Sequence, residues 1–186
     1  MDNLSFGQRI DQENGLCELW LTHGALDWIK QQDWSDKVVW MFGAGLGDAW
    51  LARRCKWLHV VERNNEWAFK ASVNCANNNS NNVTYHHRPC NDSSGADEMY
   101  CDIPYKVDVI INDDAYRTEI CQVAVDYFKA NGGGIFISDN WIQSYVWLSP
   151  KAEEIMQPYE AMVFEQHDHK DNDGVNKWKT AVWNIK

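Results

Sequence analysis

Three observations predict an α/β chain with a mostly parallel, seven-stranded sheet between two helical layers. Continuous apolar runs of strand length recur along the sequence. Helix-length segments alternate with them, and short polar turns separate the two. The first run is Val38–Phe42, and Ala49–Arg54 reads as a helix behind it. Leu58–Val61 is the second strand, ending at Glu62, and Glu66–Asn74 the next helix. Asn74–Asn82 holds so many Asn that a loop is expected. Val83–His87 is a third strand, and Asn91–Met99 is polar and loop-like. Val107–Ile111 is a strand, and Thr118–Ala130 a helix stopped by Asn131-Gly132-Gly133-Gly134. Ile135–Ile137 is the fifth strand, and Pro150–Gln157 a short helix. Ala161–Phe164 and Trp178–Ile185 form a final antiparallel edge hairpin. The strand runs do not alternate with polar residues, which fits strands buried on both faces.

One domain of 186 residues is expected, with 1–36 as a helical cover and 37–186 as the core. The cover carries apolar positions at helical spacing, interrupted at Gly15 and Gly24. Acidic residues number 27 against 17 basic ones, a net charge of −10. That balance disfavours nucleic acid or an anionic membrane as a partner, because both are bound by neutralising phosphates. No run approaches the roughly 18–20 apolar residues of a membrane span. The first ten residues lack the apolar stretch of an export signal. None of the six Cys forms a CxxC pair, so reduced thiols in a cytoplasmic protein are expected.

Ligands of parallel sheets bind outside the carboxyl ends of the strands. Acidic residues gather at those ends: Glu62, Asp92, Asp113 and Asp139 follow the second to fifth strands. Glycines at 43, 45 and 47 follow the first strand and open a helix, where a ligand can lie against bare backbone. The third glycine of the dinucleotide fingerprint is missing, since Asp48 follows Gly47. Glu62 lies 62 − 43 = 19 residues after the first glycine, where a carboxylate can accept from both ribose hydroxyls. Asp48 would repel a pyrophosphate, and no Lys or Arg lies between Val38 and Ala52. S-adenosylmethionine carries no phosphate, and its sulfonium and ammonium suit an acidic pocket.

Val38–Asn140 resembles the class I S-adenosylmethionine-dependent methyltransferases, whose Rossmann-like fold the resemblance implies. Val39–Gly47 looks like their glycine-rich motif, Val60-Val61-Glu62 like the ribose-binding motif, and Val83–Asp92 like the third strand with its trailing acid. Val107–Asp113 and Gly133–Asn140 look like the fourth and fifth strand motifs. The resemblance implies that Gly43, Gly45 and Gly47 face the methionine part, Glu62 holds the ribose, and Asp92 lies near the adenine amine, with Asp113 beside the cofactor. Met41 stands where the family often has an acid.

Asp113, Asp139 and Asn140 match the metal ligands of catechol-type O-methyltransferases, so the resemblance implies Mg²⁺ as a further cofactor. The catalytic Lys of those enzymes is replaced by Tyr116. Asp113, Tyr116 and His167 are the catalytic candidates, with Trp141 and Tyr145 as walls for a substrate. The Pro-Pro motif of DNA amino-methyltransferases and the Lys tetrad of ribose methyltransferases are missing. A small molecule or compact polar group with an oxygen acceptor is therefore the expected substrate. The short chain implies either that or a recognition surface shared across a homodimer. Two alternatives stand beside it: methylation of a nucleic acid or protein, and a non-catalytic regulator on the same scaffold.

Overall fold

The structure is a computed structural model that describes residues 8–90, 98–141, 150–167 and 178–186. One seven-stranded sheet organises the chain. Its strands are β1 (Val38–Phe42), β2 (Trp57–Glu62), β3 (Val83–His87), β4 (Val109–Asn112), β5 (Gly134–Ser138), β6 (Ala161–Gln166) and β7 (Trp178–Ile185), in the order β3-β2-β1-β4-β5-β7-β6. The first five run parallel. β7 is antiparallel to β5, and β6 antiparallel to β7. The order reverses beside β1, so the carboxyl ends of β1 and β4 flank a switch point where such sheets open a crevice.

β1 shows why its sequence lacks alternation. Val39 and Met41 face one apolar cluster, and Trp40 and Phe42 face the other; all four are buried. Helices α1 (His23–Gln31), α2 (Asp48–Ala52) and α3 (Asn65–Asn77) lie in sequence before β3. The buried apolar residues of α1 and α2, with Cys75 of α3, belong to the first cluster. α4 (Glu98–Cys101), α5 (Arg117–Asn131) and α6 (Pro150–Met156) supply the second cluster. α5 ends at Gly132, whose φ of 89° places it in the left-handed region that glycine tolerates.

Three boundaries differ from the sequence reading. Among the described residues of the expected helical cover, α1 takes only 23–31. Before it, a turn closes the Ile10–Cys17 bridge, and Leu16, Leu19 and Leu21 enter the core without helical structure. α2 stops at Ala52, leaving Arg54 free to pair with Asp11 at 2.7 Å. α3 runs on into the Asn-rich stretch as far as Asn77. There Asn74 spends its side chain on the Leu46 carbonyl (3.0 Å), and the turn is made at Asn79, with φ 57°. A further short helix, α4, takes the end of the segment read as polar loop.

Candidate functional site

The loop after β1 is shaped by what its backbone must touch. Gly43 has φ 91°, and a Cβ there would stand 2.4 Å from the Asp113 carbonyl. A Cβ on Gly47 would fall 2.6 Å from the Leu19 Cα, so the N-terminal segment rests on the loop backbone. Gly45 differs, since a Cβ there meets nothing nearer than 3.9 Å. A cavity of about 250 Å³ opens at this loop. Gly43 to Asp48 form one side, Met41 and Asp113 line it, and Leu19, Trp20, Gln8 and Trp67 complete the wall.

The first three backbone amides of the loop, at residues 43–45, are committed to protein acceptors. Gly43 N donates to the Val61 carbonyl at 2.9 Å. Ala44 N donates to Glu62 Oε2 at 2.9 Å, and Gly45 N to Asp48 Oδ1 at 3.0 Å. An anion-binding loop needs such N–H groups free. Here two carboxylates take those of Ala44 and Gly45.

Asp48 is wholly buried, and its other oxygen accepts from the Tyr85 hydroxyl at 2.8 Å. Burial pushes its carboxyl up to about 7, against the pull of the Tyr85 and Gly45 hydrogen bonds and with a push from Glu62. Glu62 is also buried and also raised, chiefly by desolvation. Its Oε1 accepts from Asn64 N at 2.7 Å. Each of its oxygens retains a lone pair for a further donor. Asn64 in turn caps α3 by accepting from Trp67 N at 3.0 Å, and the Trp67 indole donates to the Ala44 carbonyl.

Asp113 follows β4, its amide bonded to the Phe42 carbonyl at 3.0 Å. Register pairs Asn112 with Ser138, so Asp113 and Asp139 leave adjacent strands side by side. Burial first, then the Asp139 charge, raises Asp113 well above the usual carboxylate range, with Arg117 opposing.

Of the sequence candidates, Gly43, Gly45, Gly47 and Asp113 meet in the cavity, and Glu62 stands behind its loop. Tyr116 does not line it. That side chain is buried in the second apolar cluster, edge-on to Tyr100 and beneath Arg63. His167 lies exposed after β6, 3.6 Å from Glu165. Trp141 packs edge-on against Trp183 at 4.7 Å. Asp92 and Tyr145 lie outside the described residues.

The Mg²⁺ expectation finds no support among the described residues. Both oxygens of Asp139 accept from the Trp178 indole at 3.0 Å, and Oδ1 also accepts from Thr180 Oγ1 at 2.7 Å. Asn140 Oδ1 accepts from the buried Arg117 guanidinium at 2.9 Å. The oxygens of Asp139 and Asn140 are thus already engaged by protein donors, one of them the fixed Arg117 cation. Among the described residues no cluster of three or more His, Cys, Asp or Glu could hold a metal.

Sequence reasoning missed Trp20, Trp67 and the buried role of Asp48. The Asn64-x-x-Trp67 spacing was the available signal for Trp67, because an N-cap fixes the first turn of its helix.

Solved structures with this arrangement are numerous. The precorrin-6y C5,15-methyltransferase of Geobacter metallireducens aligns over 97% of this chain and 95% of its own, at TM-score 0.63 and 16% identity. The N-methyltransferase NodS of Bradyrhizobium japonicum aligns over 88% and 93%, at 0.64 and 12%. The O-methyltransferase TomG of Streptomyces achromogenes, solved in complex with SAM, aligns over 82% and 74%, at 0.52 and 15%. This is the class I methyltransferase fold. No family model and no curated protein sequence matches the chain. No helix among the described residues is long and apolar enough to cross a membrane.

Proposed function

We propose that the protein is an S-adenosylmethionine-dependent methyltransferase acting on a small molecule or compact polar group, with oxygen as acceptor. The observation that carries this reading is the occupation of two glycine-loop amides, those of Ala44 and Gly45, by Glu62 and Asp48. A loop so occupied offers an anion little and a cation much. S-adenosylmethionine supplies an electrophilic methyl on a cationic sulfur.

In this reading Gly45 leaves room against the loop, with Gly43 and Gly47 holding the loop's course. The Glu62 lone pairs receive the ribose hydroxyls, and Asp92 lies towards the adenine. Met41 gives the cavity an apolar floor. Asp113 lines the cavity and takes the proton that an attacking hydroxyl must shed. The cavity is near the low end for ligand sites, so it suits one part of the cofactor rather than all of it. The net charge of −10 supports a small acceptor over a nucleic acid.

The test is titration calorimetry with S-adenosylmethionine and S-adenosylhomocysteine, followed by transfer of labelled methyl to pools of hydroxylated and amine acceptors. Binding and transfer to a hydroxyl are expected. Lack of binding by both ligands at about 1 mM, a bare 4 kcal/mol of affinity, rejects the reading.

A further inference from the structure

Four hydrogen bonds close a ring beside the cavity. Glu62 takes two backbone amides, Ala44 N on Oε2 at 2.9 Å and Asn64 N on Oε1 at 2.7 Å. Asn64 Oδ1 accepts from Trp67 N at 3.0 Å, and the Trp67 indole returns to the Ala44 carbonyl. The ring ties three separate pieces of chain together: the glycine loop, the end of β2 and the first turn of α3.

The peptide between Ala44 and Gly45 is held at both ends. Its carbonyl accepts from Trp67, and its N–H donates to Asp48 Oδ1 at 3.0 Å. Side-chain packing at Gly45 does not fix it, since a Cβ there would meet nothing nearer than 3.9 Å. The Ala44 N–H belongs to the preceding peptide, so its aim follows from the same anchor. Glu62 depends on that aim. Desolvation opposes its charged form, and the Ala44 and Asn64 amides are the hydrogen bonds that support it. With one lone pair of each oxygen taken, the direction of the others is set by where those amides stand. Trp67 is 42% exposed, so core packing asks little of an indole there. Its N–H is what the ring uses.

We propose that Trp67 is a positioning residue for Glu62: by pinning the Ala44 carbonyl it holds the Ala44 amide, and with it the Glu62 carboxylate, in the direction that receives the ribose hydroxyls of the cofactor. This deepens the S-adenosylmethionine reading above and rests on it. Because Trp67 acts through Ala44 and Glu62, its N–H should matter to the ribose hydroxyls and little to the rest of the ligand.

Calorimetry on the full chain tests this with S-adenosylhomocysteine and its 2′-deoxy counterpart, in wild type, W67F and N64A. A hydrogen bond to a charged acceptor is worth about tenfold or more in affinity, so wild type should prefer the ribose form at least tenfold. W67F keeps a ring beside the Lys70 ammonium and loses only the N–H to Ala44. It should cut the preference to threefold or less, with affinity for the deoxy ligand changing by less than twofold. N64A breaks the ring on its other side and should lower the preference in the same direction. If W67F weakens both ligands in parallel, Trp67 is only a wall of the cavity and the inference falls. An unchanged preference in W67F also overturns it. Wild type that binds both ligands equally overturns the inference and leaves the cofactor reading standing. Wild type that binds neither overturns the reading itself. Far-ultraviolet circular dichroism checks that each variant folds, and N64A decides by the same criteria should W67F not fold.

Discussion

Replacing Asp48 with Asn should remove a defined part of the pH dependence of stability. The Asp48 carboxyl is held up at about 7 by burial, whereas in the unfolded chain it returns to 3.8. Between pH 6 and pH 8 the unfolded carboxyl is ionised and carries essentially no proton. The folded one carries about 0.9 proton at pH 6 and about 0.1 at pH 8. The folded state therefore binds more protons, and stability falls as pH rises. The contribution is full below 3.8 and is lost as pH climbs through about 7. Averaged over the two pH units, about half a proton is involved, which gives about 1.4 kcal/mol of lost stability. Asn offers Gly45 N the same acceptor and Tyr85 a donor in place of an acceptor, so the packing survives while the titration does not. Urea unfolding at pH 6 and pH 8 reads the difference. Wild type should lose about 1.4 kcal/mol more than D48N across this interval. Equal pH slopes for the two proteins, or a steeper one for D48N, would refute the assignment of a buried, neutral-favouring carboxyl at this loop.

Glu62→Ala should weaken S-adenosylmethionine by about 1–3 kcal/mol, because hydroxyl donors and the Ala44 and Asn64 amides lose their acceptor; calorimetry measures it. Gly45→Val should leave thermal unfolding nearly unchanged while cutting ligand affinity at least tenfold, since its side chain enters open cavity. Gly43→Ala should instead cost about 2–4 kcal/mol of stability, with φ 91° and the Asp113 carbonyl 2.4 Å from the new Cβ. His59 shares a hydrogen bond with His86 at 3.1 Å, and burial lowers it from 6.5 to about 4. Stability from the neutral ring is present above pH 6.5 and lost as pH falls towards 4; H59F should remove about 1–2 kcal/mol of that acid sensitivity in urea titrations. Exhaustive chelation should leave ligand affinity unchanged, because the Asp139 and Asn140 oxygens serve Trp178, Thr180 and Arg117.

The sheet was legible because burial on both faces leaves a direct trace in sequence. Val39 to Phe42 are all apolar since each faces one cluster or the other. The glycine loop was legible for a similar reason: close backbone approaches at Gly43 and Gly47 exclude any side chain. What could not be read depends on partners distant in the chain. Asp48 looked like an acid that would merely repel phosphate. Its partner Tyr85 lies 37 residues away on β3, and only their meeting turns Asp48 into a buried strut for Gly45. The Asn-rich stretch misled for the same reason. Its local preference is for turns, but Asn74 finds the Leu46 carbonyl and keeps the helix going. Asp139 and Asn140 resembled metal ligands in isolation, and the contacts with Trp178, Thr180 and Arg117 reassign them.

These long-range contacts concentrate an electrostatic cost in one place. Asp48, Glu62, Asp113 and Asp139 are all raised, with desolvation the largest cause in each case. A core selected for stability alone would carry apolar residues at such positions. The cluster instead sits at the carboxyl ends of β1, β2, β4 and β5, around the cavity. Arg117 partly compensates Asp113 and Asp139, while among the described residues Asp48 is held by hydrogen bonds from Tyr85 and Gly45. A cationic ligand in the cavity would supply the missing attraction and favour the ionised form of Asp48. The desolvation cost of these buried carboxylates and the proposed preference for a positively charged occupant thus have one source.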